Sequence, residues 1–129
     1  MTTTSNPLFQ FELPPLPEAQ RHAPVDELYK QGFATEGTGK FDLAASYFDE
    51  VHKRQPNNPY VLLDLARVYF QLFEIERAKS VLREATQRAG RDADFWYQIA
   101  LVYQEAHLDQ EAEHCFLLAR SHGAGNITL

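Results

Sequence analysis

The chain has 129 residues, 12 Lys and Arg against 18 Asp and Glu, and a formal net charge of -6. That length suits one small domain with its own core, and the acidic balance works against DNA, RNA and anionic membranes as partners, because phosphate binding draws most of its affinity from Lys and Arg. The single Cys115 excludes an internal disulfide, the start MTTTSNPLFQ is neither basic nor long and apolar, and no window nears a membrane span, so the reading is a soluble, cytoplasmic chain without membrane insertion.

Residues 1–24 read as an arm. Within it PLFQFELPPLP, residues 7–17, carries Phe9, Phe11 and three leucines before Pro14, Pro15 and Pro17 close the run. Proline fixes φ and removes an N–H, so the arm is expected to be extended or polyproline-like, and partly disordered. Its apolar content argues against a fully solvated leader. The alternatives are a strap on the chain's own groove or end, a contact to a neighbouring molecule, and a short motif read by another domain.

Next comes GFATEGTGKF, residues 32–41, with three glycines and a lysine. A phosphate-cradling loop needs a glycine five residues before its Gly-Lys pair and a hydroxyl after it. Ala34 and Phe41 occupy those places, and no Val/Ile-rich strand precedes them. Gly37 and Gly39 therefore mark a turn between helices, with Lys40 solvated. In YVLLDLARVYFQL, residues 60–72, Leu62, Leu65, Ala66 and Tyr69 fall three or four apart, and Ala78, Val81, Leu82 and Ala85 repeat that spacing. Asn58 before Pro59 is a cap signal, and Gly90 and Gly123 follow helix ends. After the last helix only HGAGNITL remains, which leaves Leu117 or Leu118 with no successor helix to cover it.

These helices recur with a period of 34 residues. Ala44, Ala78 and Ala112 share one register; so do Phe48, Leu82 and Phe116, Gly32, Ala66 and Ala100, Val51, Ala85 and Ala119, and Leu28, Leu62 and Trp96. On these positions the chain resembles the tetratricopeptide repeat family. Copy three supplies Trp96, Ile99, Ala100, Tyr103, Ala112, Phe116 and Ala119, and copy two supplies Leu62, Leu65, Ala66, Tyr69, Ala78, Leu82 and Ala85. Copy one has Leu28, Gly32, Ala44, Phe48, Val51 and Pro56 but departs at Gln31 and Thr35, which weakens its first helix. The resemblance implies an all-α, right-handed solenoid of three helix-turn-helix pairs, residues 25–58, 59–92 and 93–122, behind the arm and before a short tail, 123–129.

The resemblance further implies that one face of each first helix lines a concave groove. Those positions are Asp26, Tyr29, Phe33, Glu36 and Gly37, then Tyr60, Leu63, Arg67, Phe70 and Gln71, then Asp94, Tyr97, Leu101, Gln104 and Glu105. Seven of these fifteen are apolar or aromatic, more than a solvated face needs. The peptide-binding residues expected from them are Tyr29, Phe33, Tyr60, Leu63, Phe70, Tyr97 and Leu101, with Arg67 free to meet a backbone carbonyl or a lone carboxylate. The Lys/Arg and Asn clamp of family members that hold acidic chaperone tails is missing. In repeat number, acidity and the closing run AEHCFLLARSH the chain is similar to the small chaperones of type III secretion translocators, although it begins with an arm where they begin with a helix.

The functional expectation is a non-enzymatic module that binds a protein or peptide partner, as adaptor or chaperone, without cofactor. The alternative is a scaffold that self-assembles through its arm and uncapped end. Glu111, His114 and Cys115 lie together on the last helix, but a zinc site needs three or four ligands at recognisable spacing, and a reactive cysteine needs electropositive surroundings that this acidic helix does not offer. Carboxylates two apart, such as Glu111 and Glu113, do not face each other on a helix.

Overall fold

A computed structural model describes residues 11–123 of the chain. Six α-helices follow one another: α1 (Val25–Gly37), α2 (Phe41–Arg54), α3 (Tyr60–Gln71), α4 (Ile75–Ala89), α5 (Ala93–Glu105) and α6 (Asp109–Ser121). Within the described residues there is no strand. The helices pack as the pairs α1·α2, α3·α4 and α5·α6; α2 packs on α3, α4 on α5, and α3 also reaches α5. This is a helical solenoid of three stacked pairs, in which each pair packs chiefly on its neighbours.

The 34-residue period is visible in the turns as well as the helices. The first helices end at Gly37, Gln71 and Glu105, 34 residues apart each time. Two residues further, Gly39 (φ 83°), Phe73 (φ 60°) and His107 (φ 62°) all adopt the left-handed conformation. Each turn is then closed the same way: the N–H of Lys40, Glu74 and Leu108 donates back to the carbonyl of Thr35, Tyr69 and Tyr103 at 3.1, 2.9 and 3.0 Å. Each of these carbonyls also accepts from the N–H two residues before the donor, so both N–H groups of the turn converge on one acceptor at the helix end. The turn conformation thus belongs to the repeat, and only copy one meets it with glycine.

Side chains also mark two of the helix starts. Pro59 has helical angles (φ -76°, ψ -16°), and Asn58 Oδ1 accepts from the Tyr60 N–H at 3.1 Å. Asp92 caps α5 by accepting from the Phe95 N–H at 3.1 Å. Gln31 and Thr35 do not break α1. Gln31 donates to Glu27 one turn earlier at 2.9 Å, and the Thr35 hydroxyl turns back onto the Gln31 carbonyl, so neither side chain draws the backbone out of the helix.

The core falls into two clusters that share the middle pair. Leu28, Phe48, Val51 and their neighbours from pair one enclose Val61, Leu65, Val68 and Tyr69 of α3. Leu62, Leu63 and Ala66 on the other side of α3 join Ile99, Ala100 and Phe116 of pair three. Helix α3 is buried on nearly all sides, as its almost continuous apolar run requires. At Gly32 the reason for a small residue is direct: a Cβ there would stand 2.5 Å from Phe48 Cε1.

The arm has no regular secondary structure from residue 11 to 17, forms a 3-10 turn over Glu18–Gln20, and docks on its own molecule. Phe11, Leu13 and Leu16 add to the core of pairs one and two. Ser46 donates to the Pro14 carbonyl at 2.6 Å, and Arg54 holds the Ala23 and Arg21 carbonyls at 2.7 and 2.9 Å. Farther along, Phe11 meets Tyr69 edge to face at 6.2 Å, with the Arg77 guanidinium over both rings. The arm therefore runs along α2 to the corner between α3 and α4. Its described residues, from Phe11 on, do not line the concave groove, where one reading of the sequence put PLFQFELPPLP. Proline-rich backbone cannot form a ladder of hydrogen bonds, so it is held by side-chain donors to its carbonyls and by apolar contacts. The stretch from Pro7 to Gln10, including Phe9, lies outside the described residues, as does the tail after Gly123.

Candidate protein-binding groove

The first helices α1, α3 and α5 stand side by side and leave a groove of about 410 Å³ on the inner face. Tyr29, Phe33, Tyr60, Leu63, Arg67 and Leu101 all line it, together with Asp64, Gln98, Val102 and Glu105. Leu63 is almost wholly buried, so it forms floor rather than rim. Phe33 and Tyr60 stay 48 and 47 % exposed at the groove. Each is braced from behind: Phe33 stacks on Tyr29 at 5.2 Å and meets Phe48 edge-on, and Tyr60 stands edge-on to Phe95 at 5.1 Å. Rigid, half-exposed aromatic rings over an apolar floor can take up an apolar side chain with little loss of conformational entropy.

Two of the expected groove residues stand elsewhere. Phe70 lines an adjoining cavity of about 230 Å³ with Phe73 and Ile75. Tyr97 leans on Phe116 of α6, with ring centroids 5.4 Å apart, and takes no part in the lining. No further pair follows α6 within the described residues, so the ring packs back on its own pair.

Arg67 is not free. Its guanidinium forms a fork with Glu36 on α1 at 2.6 and 2.9 Å and reaches Asp64 at 3.0 Å. The Tyr29 hydroxyl donates to the other oxygen of Asp64, and Arg67 also covers the Phe33 ring at 5.9 Å. Burial, chiefly, holds the Asp64 carboxyl above its usual range, while Tyr29 and Arg67 pull the other way. Burial and the bond to Asp64 raise the Tyr29 hydroxyl. The network ties α1 to α3 across the inner face and makes Arg67 a structural cross-link. Sequence reasoning passed over Asp64, although a lone acid inside YVLLDLARVYF, three residues before an arginine, was the available signal.

Glu111, His114 and Cys115 line a separate hollow on the α5–α6 pair beside Trp96 and Tyr103. Burial and then Glu111 push the Cys115 thiol up to about 11, which leaves very little thiolate at neutral pH. Among the described residues no three His, Cys, Asp or Glu side chains converge as metal ligands, and no helix is long and apolar enough to cross a membrane.

Stacked helix pairs around an aromatic groove define a repeat module of the kind that binds other proteins. A family model described as tetratricopeptide repeat matches residues 37–102, which run from the first turn through α2, α3 and α4 into α5. The chain belongs to the tetratricopeptide repeat family, whose members are protein–protein interaction modules. No curated protein matches it.

Proposed function

We propose that the groove binds an apolar segment of a partner protein, and that the chain works without catalysis or cofactor as an adaptor or as a chaperone for an aggregation-prone client in the cytoplasm. The observation that carries this reading is the pair Phe33 and Tyr60, both about half exposed beside Leu63 and Leu101 in one concavity. Solvent gains nothing from two large rings held in that position, whereas buried aromatic anchors dominate protein interfaces. Between the two roles, the groove favours a client recognised by apolar side chains, because its one arginine is already bound to Glu36 and Asp64. A role like that of the type III secretion chaperones fits this chemistry and the three pairs.

The test is capture from native lysate by wild type and by a Phe33→Ala/Tyr60→Ala variant shown to be folded by circular dichroism. Retention of a partner by wild type and its loss by the variant supports the groove; equal retention refutes it. A second reading, self-assembly at the C-terminal end, draws on Leu117, which is 52 % exposed on α6 beside a shallow hollow lined by Phe116 and Gln104. Sedimentation of a Leu117→Glu variant separates the two readings, since only a self-assembling scaffold loses mass by this change.

A further inference from the structure

The groove and the cavity beside it are walled by the same three residues, Arg67, Val102 and Glu105. The second cavity carries Phe70, Phe73, Ile75, Ala106 and His107 at the edge where the turns of pairs two and three lie. Phe73 is 85 % exposed and holds a left-handed conformation (φ 60°), which a bulky side chain adopts at a cost. Ile75, beside it, is exposed as well. The inner face thus has two apolar basins in series, one under Tyr29, Phe33 and Leu101 and one under Phe73 and Ile75.

Electrostatics distinguish the wall between them. Arg67 is taken up by Glu36 and Asp64, two carboxylates to one guanidinium. Glu105 adds a third carboxylate, is exposed, and forms no salt bridge among the described residues. An anionic divider between two apolar basins attracts a cation and repels a carboxylate.

We infer that the groove's occupant is a segment with two apolar anchors separated by a lysine or arginine: one anchor enters the Tyr29/Phe33/Leu101 basin, the cation meets Glu105, and the second anchor covers Phe73 and Ile75. This rests on the groove reading above and names the chemistry of its partner. Phe73 then has a binding role in a turn that needs only a glycine.

The probe is a phage-displayed library of random linear peptides, selected against the full chain and read by sequencing and by fluorescence anisotropy of the enriched peptides. The expected winners carry a basic residue between two apolar ones. Glu105→Lys weakens them about tenfold or more and, in its own selection, replaces the central cation with an acid; Phe73→Gly, which relieves backbone strain and so keeps the fold, weakens them by a similar factor. Winners that depend on Phe33 and Tyr60 but lack a central cation, or that ignore Glu105→Lys and Phe73→Gly, overturn the two-anchor assignment and leave the groove reading intact. Winners that bind a Phe33→Ala/Tyr60→Ala variant equally well overturn both. Binding that appears only after deletion of residues 1–10 assigns the groove to the chain's own N-terminus, and self-association abolished by Glu105→Lys assigns it to a second copy; either outcome overturns the partner segment.

Discussion

Replacing Gly32 by alanine sets two effects of known sign against each other. Alanine in a helix interior is favoured over glycine by roughly 0.5–1 kcal/mol. The new methyl, however, would meet Phe48 at 2.5, 2.8 and 3.0 Å from Cε1, Cδ1 and Cζ, all closer than van der Waals contact. Phe48 is fully buried and abuts Tyr29 at 5.8 Å and Phe33 at 5.2 Å, so moving it aside disturbs both rings. Overpacking a filled core costs about 1–3 kcal/mol, so Gly32→Ala should lose about 1–2 kcal/mol net, a fall in Tm of roughly 3–10 °C for a chain of this size. Copy two supplies the control, because it pairs Ala66 with the smaller Leu82 in the same register. In a Phe48→Leu background the alanine should therefore be neutral or stabilising. Urea titration followed by circular dichroism gives all four corners of the cycle. A Gly32→Ala protein as stable as wild type, or the same penalty in both backgrounds, would refute the steric account of this position.

The remaining expectations concern the arm, the buried acid and the strained turn. Ser46→Ala removes the hydroxyl that donates to the Pro14 carbonyl at 2.6 Å and should cost about 1 kcal/mol, while peptide binding in the groove stays unchanged because the arm lies elsewhere; a loss of binding with stability intact contradicts the assigned arm position. Burial raises the Asp64 carboxyl above its ordinary 3.8. The folded chain thus holds this proton more tightly than the unfolded chain, a stabilisation complete below that ordinary value and lost as pH rises through the folded one. Asp64→Asn should remove this share of the decline, giving a flatter stability profile as pH rises above about 4 in urea titrations; an unchanged slope rejects the assignment. Phe73→Gly relieves a left-handed aromatic worth about 1–2 kcal/mol at the expense of about 0.5–1 kcal/mol of chain entropy, so Tm should hold or rise; a clear fall shows that the ring packs on something.

The fold was legible because the small residues that let paired helices approach recur at a fixed period, and size at those positions is a steric requirement that the letters carry directly. The turn was legible only in copy one. Gly39 announces a left-handed residue, whereas Phe73 and His107 occupy the same conformation under the pull of the repeat and carry no local sign of it. The groove was legible as a face but not as a set of contacts. Glu36 and Arg67 sit 31 residues apart and Tyr29 and Asp64 sit 35 apart, so stacking brings each pair across the inner face; a search for complementary polar residues within one helical turn of the 34-residue period would have found them. Tyr97 was misplaced for another reason, since periodicity assigns it the same face as Leu63 and says nothing of the ring on α6 that it leans against.

The described part of the arm clasps one end of the solenoid. It adds apolar contacts to pairs one and two and reaches as far as Tyr69 and Arg77, while among the described residues α5 and α6 pack mainly on each other and on α3 and α4. In a stack whose stability is a sum of neighbour terms, such an addition makes unfolding directional. Fraying should start from α6 and move inward, with the amides of α5 and α6 exchanging with deuterium well before those of α2 and α3. The far half of the anionic divider, carried by α5, then belongs to the loosest part of the molecule. Occupancy across the α3–α5 boundary would slow exchange throughout the last pair, so a client could be registered by protection at the C-terminal helices without any change in the helices that the arm already holds.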